Sequence, residues 1–240
     1  DNDAFVLTGN VIYEKNNLPN TNLLSGPKGI GKSTFIYHFA NYLLSENEDN
    51  KYSLKNYKIN PLNSTFNLIK NNTHPNFYLL DDISSDGNIK IDQTRNLIKF
   101  LNKTSYYKKI KIVLIDNAEL LNPNSSNSLL KALEEPTINT HFFIINNESS
   151  EIMDTIKSRC IKFKFHFNIN EKKNIFKKIV NDSNIDINDI NLEEYLYFDT
   201  PGNLFKYLSI FNEFNLNLSK DLLESILFLL NEYKTKKESE

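Results

Sequence analysis

Residues 26–33 read Gly26-Pro27-Lys28-Gly29-Ile30-Gly31-Lys32-Ser33, a complete match to G-x-x-x-x-G-K-[ST]. The pattern works only where a strand ends on the first glycine and a helix starts near the lysine. Backbone N–H groups then curl around an anion, and the helix adds its positive end. The flanks comply: Leu23, Leu24 and Ser25 make a short apolar run, and Phe35, Ile36, Phe39, Ala40, Leu43 and Leu44 recur at threes and fours. Three of the six glycines in the chain fall in this loop. The expected nucleotide-binding residues are Gly26, Pro27, Lys28, Gly29, Ile30, Gly31, Lys32, Ser33 and Thr34, with Lys32 on the β and γ phosphates and the Ser33 hydroxyl on Mg²⁺. The bland alternative is a glycine loop that holds no ligand.

Beyond the loop, strands and helices alternate. The spacing predicts strands over 77–80, 110–115, 142–145 and 161–165, and helices over 124–133 and, briefly, 62–69 and 150–156. Asp92 is the expected cap of a helix carrying Leu97, Ile98 and Leu101. The stretch 82–88, with Asp86-Gly87, is a turn signal. Residues 110–115 have Lys111 as their only polar relief, as suits a parallel strand covered on both faces. The expected fold class is α/β, a P-loop parallel sheet with helices on both faces. After residue 166 the character changes: 171–180, 192–198, 204–214 and 221–233 all read as helices with no strand between them. The expected organisation is a nucleotide-binding α/β domain over 1–166, a small helical lid domain over 167–216, and the start of a helical collar or C-terminal helix over 217–240.

Composition narrows the class. The chain has 240 residues, 40% of them hydrophobic and 24% charged, enough apolar material for a sizeable core. A net charge of -2 excludes a strongly basic nucleic-acid binder, so contact with nucleic acid falls to a local patch or to partners. Lys172, Lys173, Lys177 and Lys178 form one such patch, of a kind that is more often a solvated helix face. The single cysteine, Cys160, excludes an internal disulfide or a multi-cysteine zinc module, and fits a reducing, cytoplasmic setting. No apolar run is long enough for a membrane span. The chain starts at Asp1 rather than at methionine, so an upstream start is expected.

Asp116 closes the buried run 110–115 and is the expected second anchor for Mg²⁺, or else the cap of the next turn. The residue after it is Asn117, which cannot act as a base. Glu119 lies three residues on from Asp116 and is the nearest glutamate that follows it. Only two arginines occur, Arg95 and Arg159, in a chain that otherwise relies on lysine. A planar bidentate donor is one reason to use arginine there. Taken alone, Arg159 fits a surface ion pair equally well, and Arg95 fits a packing or bridging role. Cys160 reads as a small buried residue.

The run Ile115-Asp116-Asn117-Ala118-Glu119-Leu120-Leu121, continued by 127–136 with its Leu133-Glu134-Glu135-Pro136 ending and by Ser158-Arg159-Cys160, resembles the ATP-driven sliding-clamp loaders of DNA replication, members of the AAA+ class. His74-Pro75-Asn76-Phe77 and Ile91-Asp92-Gln93-Thr94-Arg95 look like the delta-prime branch of that family, in the bacterial DNA polymerase III. The resemblance covers roughly residues 23–167. It implies that Arg159 acts in trans, reaching the γ-phosphate held by a neighbouring subunit, and that Asn146 or Asn147 senses the γ-phosphate, Asn146 being the favoured position. It also implies ATP and Mg²⁺ as cofactors. The implied partners are other clamp-loader subunits in a hetero-oligomeric ring, the sliding clamp, and primed DNA reached through the assembled complex.

Three departures matter. The stretch 45–76, where the family commonly carries a zinc module, has no cysteine, so no zinc is expected. The segment Pro201-Gly202-Asn203-Leu204-Phe205-Lys206 lacks the arginine that motor subunits use on nucleotide, and Lys206 is at best a substitute. The collar is short, which fits a fragment or an abbreviated subunit. The expected function is a subunit that binds ATP, hydrolyses it weakly or not at all, and lends Arg159 to a neighbour. The alternatives are a gamma/tau-like motor ATPase and a structural scaffold with an empty P-loop.

Overall fold

The structure is a computed structural model and describes residues 18–81, 87–103, 110–181, 183 and 192–213. The turn expected within 82–88 falls mostly outside these residues, and the helix expected over 221–233 and the collar over 217–240 fall wholly outside them. The chain forms two compact units, one of Asp1–Pro27 with Gly31–His166 and one of Lys28–Ile30 with Phe167–Glu240.

The first unit runs β1 (Thr21–Gly26), α1 (Lys32–Leu44), α2 (Ser64–Lys70), β2 (Phe77–Leu80), α3 (Ile91–Asn102), β3 (Lys111–Ile115), a 3₁₀ turn (Ala118–Leu120), α4 (Pro123–Glu134), β4 (Thr140–Asn147), α5 (Asp154–Lys157) and β5 (Ile161–Lys164). The five strands form one parallel sheet in the order β2-β3-β4-β1-β5. The fold is a P-loop α/β sheet with helices. Alternation along the strands explains why the central ones read as continuous apolar runs. Val113 and Ile115 of β3 and Phe142 and Ile144 of β4 pack in one core with Leu97, Leu129, Leu133 and Ile156. Phe143, between them in sequence, meets Phe39 of α1 edge-on, with ring centroids 5.7 Å apart. A strand buried on both faces has no polar side to show. β5 is different: among the described residues it pairs only with β1, and Ile161 is half exposed at that edge.

Lys111, the one polar residue of β3, has a task in the structure. Its ammonium is buried and donates to the carbonyls of Phe100 at 3.2 Å, Leu101 at 3.0 Å and Lys103, at the C-terminal end of α3. The last carbonyls of a helix lack the usual partner four residues on, although that of Phe100 also accepts the Lys103 N–H at 3.2 Å. A cation there suits the helix dipole. Burial lowers the pKa of this amine.

Two helix starts differ from expectation. Asp92 does not cap α3. Lys90 stands at the cap position, and its backbone N–H is taken by the Gln93 side chain at 2.7 Å. Asp92 instead sits inside the first turn and pairs with Arg95 at 2.9 Å, both well exposed, a contact worth about 0.5 kcal/mol or less. The helix expected over 150–156 is confined to α5, because Ile152 and Ile156 both insert into the core and hold the intervening chain extended before Asp154.

α2 lies in the polar insertion and depends on a long-range cap. Glu48 accepts from the backbone N–H groups of Ser64 at 2.9 Å and Thr65 at 3.1 Å, and from the Thr65 hydroxyl. Burial works against the charged form of Glu48, but these hydrogen bonds outweigh it and its pKa is lowered. A lowered native pKa means that the stabilisation is present above the unfolded value near 4.5 and is lost as pH falls through the native one. We therefore expect Glu48→Ala to destabilise the protein by about 1 kcal/mol at pH 7. The gap in melting temperature between variant and parent should close below the ordinary glutamate range. A gap that stayed constant into strong acid would show that the charge of Glu48 contributes nothing.

The second unit contains α6 (Ile169–Asn181), α7 (Leu192–Phe198) and α8 (Pro201–Glu213), packed around Phe176, Val180, Leu196, Leu204 and Leu208. Lys172 repeats the logic of Lys111, donating at 2.9 Å each to the carbonyls of Leu196, in the last turn of α7, and Asp199, just after it. Lys173 pairs with Glu193. Two of the four lysines that made α6 look basic are thus engaged within the unit, while Lys177 and Lys178 are exposed.

Candidate nucleotide-binding site

β1 delivers the loop and α1 leaves it, with Lys32 as the first residue of the helix. Gly31 stands at the helix cap with φ 102°, where a side chain is strained, so glycine is required there. It has no side chain to occupy the first-turn N–H groups, which leaves them for an anion.

Lys32 is 4% exposed. Its ammonium donates to the carbonyls of Gly26 at 2.7 Å and Pro27 at 2.8 Å, and to Asn147 Oδ1 at 3.2 Å. All three N–H donors of the group are thus used within the chain. Burial lowers its pKa, opposed by the charges of Asp116, Glu119 and Glu148.

The Ser33 hydroxyl donates to Asp116 Oδ2 at 2.5 Å, and the other carboxylate oxygen accepts the Asn117 backbone N–H at 2.9 Å. Pairing of Leu80 with Ile115 brings the residues that follow β2 and β3 side by side, so Asp81 lies near Asp116. Burial pushes the Asp116 carboxyl above its usual range. The charge of Asp81 adds to this, while hydrogen bonds from Ser33 and Asn117 and the charge of Lys32 oppose it. A hydroxyl and a carboxylate set against a second acidic group form an all-oxygen environment suited to a hard divalent cation. Asp81 was not found from the sequence, although it ends a buried strand just as Asp116 does.

Asn117 adopts the left-handed conformation, φ 53° and ψ 53°, which asparagine tolerates, and its amide donates to Asp81 Oδ1 at 3.0 Å. Glu119 reaches the site. Its carboxylate accepts from the side-chain amide of Asn147 and from the Asn147 backbone N–H at 3.4 Å. Asn147 therefore bridges Lys32 and Glu119. The favoured sensor position, Asn146, is not the residue that meets Lys32. Strand alternation at the end of β4 turns neighbours to opposite faces, and it is Asn147, in register with Gly26, that faces the loop. Asn146, in register with Ser25, is 7% exposed, and its Oδ1 has no hydrogen-bond partner among the described residues.

Of the other loop residues, Lys28 and Thr34 are exposed and Ile30 is buried. Within the second unit, the Thr200 hydroxyl donates to the Lys28 carbonyl at 2.7 Å and the Gly202 N–H to the Gly29 carbonyl at 3.0 Å. A Cβ on Gly202 would stand 2.6 Å from that carbonyl oxygen, so glycine is what permits the approach. Lys206 is exposed on α8.

Arg159 follows α5, and its side chain is 29% exposed. The Nε donates to Glu134 Oε1 at 2.8 Å and Nη2 donates to the same oxygen, while Nη1 donates to the Thr155 carbonyl at 2.6 Å. Cys160 is half-buried against the core, and burial pushes its thiol up to about 11. Among the described residues no cluster of three or more histidine, cysteine or acidic side chains could hold a metal, and no helix is long and apolar enough to cross a membrane.

Comparison with known proteins gives the family. The family model described as DNA polymerase III, delta subunit matches residues 6–168. The DNA polymerase III subunit delta' of Pseudomonas aeruginosa is 35% identical over 140 residues, which cover 58% of this chain and 41% of that protein. The subunit delta' of Buchnera aphidicola from Acyrthosiphon pisum is 26% identical over 255 residues, covering 92% of this chain and 75% of the relative. The DNA polymerase III subunit gamma from the same bacterium is 29% identical over 179 residues, 73% of this chain and 46% of the relative. Against the Pseudomonas aeruginosa and Escherichia coli delta' subunits, the matched region spans only 41% and 40% of their length.

Proposed function

This chain belongs to the DNA polymerase III delta subunit family, and from that premise we propose that it is a clamp-loader subunit that holds ATP without turning it over efficiently and lends Arg159 to a neighbouring ATPase subunit. It acts in the cytoplasm as part of a hetero-oligomeric ring that loads the sliding clamp onto primed DNA. The observation that carries the non-motor reading is the state of the residues that would activate water. Asn117 follows Asp116, cannot accept a proton, and is tied to Asp81, while the Glu119 carboxylate is engaged by Asn147.

The loop would hold the triphosphate through its backbone N–H groups and Lys32, and Ser33 with Asp116 would hold Mg²⁺. Bound Mg²⁺ would supply neutralisation of the β- and γ-phosphate charge. A phosphate on Lys32 competes with its three acceptors, Asn147 among them, and displacing Asn147 would pass the event on to Glu119. Arg159 offers a guanidinium, the group best suited to charge that develops on a transferring phosphoryl group.

A turnover assay on the isolated protein tests the reading. Hydrolysis with Mg²⁺ should stay close to background. Robust turnover that disappears in a Lys32→Ala variant would instead identify a motor subunit. The alternative is a structural scaffold. Nucleotide titration separates it from the proposal.

A further inference from the structure

We propose that Glu134 is the positioning residue for Arg159, orienting the guanidinium toward the neighbouring subunit before any phosphate arrives there; this rests on the reading of Arg159 as a group that acts in trans. Glu134 is the last residue of α4. A carboxylate at a helix C-terminus opposes the helix dipole, so helix stability does not account for it. Its place is fixed by what precedes and follows it. Leu129 and Leu133 are buried in the core, and Glu135 and Pro136 take the chain out of the helix.

The contacts are those of a mount rather than of a competitor. Glu134 meets the guanidinium with one oxygen, on Nε and one N–H of Nη2. The opposite nitrogen, Nη1, is held by the Thr155 carbonyl and, at 3.4 Å, by the Ser158 hydroxyl. The main chain at the same residue is also pinned, since the Thr21 hydroxyl donates to the Arg159 carbonyl at 2.5 Å. A guanidinium has five N–H donors, and these contacts leave one on Nη2 for a further acceptor. Holding a long, flexible side chain at two edges and its backbone at a third point removes rotamer freedom that would otherwise be lost when phosphate binds. The pair is half exposed and contributes little to stability, so removing Glu134 leaves the fold intact.

The test uses the complex assembled from the full-length protein and its partner ATPase subunits, with kcat and KM for ATP measured at the site that Arg159 serves. Glu134→Ala should lower kcat about tenfold with KM little changed. Glu134→Gln, which keeps an acceptor oxygen at the same reach, should lose less. In a double variant, Glu134→Ala should add nothing to Arg159→Ala, an outcome that a general structural role would not produce. If Arg159→Ala is slow but Glu134→Ala runs at the parent rate or faster, the positioning role is wrong and the trans-acting arginine survives. If Arg159→Ala itself runs at the parent rate, both fail together. A double variant clearly slower than Arg159→Ala would also refute the proposal, because Glu134 would then act by another route.

Discussion

Replacing Arg159 by alanine is expected to slow ATP hydrolysis at the adjacent subunit's site by about a thousandfold, or roughly 4 kcal/mol of transition-state stabilisation. The protein should remain folded and its own nucleotide affinity should not change. The size of the effect follows from what a guanidinium does in a water-poor phosphoryl-transfer site. It meets charge that appears only on the way to the transition state, so its loss falls on kcat rather than on KM. The structural cost is small, because the side chain is partly exposed and its partner Glu134 can be rehydrated. Arg159→Lys should recover only part of the rate, since a single ammonium cannot reproduce the planar fork. The measurement is single-turnover hydrolysis by the assembled complex, which separates chemistry from subunit exchange. An Arg159→Ala complex that hydrolyses at the parent rate would return Arg159 to the plainer role of a surface ion pair with Glu134.

The same arginine shows how far the sequence reaches. Its motif and its scarcity singled it out, but nothing in the order of residues linked Arg159 to Glu134, which lies 25 positions earlier. The loop and the central strands were legible because each follows from a local rule: a glycine spacing for one, unbroken apolar runs for the other. Strand order was not legible, since β1 between β4 and β5 is settled by pairings far apart in the chain. Register hid two further features. Asp81 stands beside Asp116 only because Leu80 pairs with Ile115, and Asn147 rather than Asn146 meets Lys32 only because of where the alternation of β4 falls. The roles of Lys111 and Lys172 were hidden in a different way. Each ends on carbonyls at the end of a helix. Long side chains of this kind hide their role from any periodicity, because the position of the Cα says little about the place of the charge.

Replacing Lys32 by alanine should weaken Mg²⁺–ATP binding by about a hundredfold or more, on the order of 3 kcal/mol for the loss of a charge-assisted contact to phosphate. The effect on stability should be far smaller, for two opposing reasons. Alanine takes the ammonium from the carbonyls of Pro27 and Gly26, the latter keeping the Glu148 N–H at 3.3 Å. Alanine also removes a buried cation whose charged form is disfavoured by desolvation, as its lowered pKa records. Calorimetric titration of parent and variant, with melting temperatures measured alongside, separates binding from folding. Lys32→Ala should melt near the parent and give no heat at ATP concentrations that saturate the parent. A parent that is itself silent with Mg²⁺ present would show that the loop no longer takes nucleotide. The three internal bonds of Lys32 would then be its working state, and the scaffold reading would replace the proposed one. If the parent binds, phosphate competes with all three acceptors of Lys32, and loss of the bond to Asn147 would leave that amide to Glu119 alone.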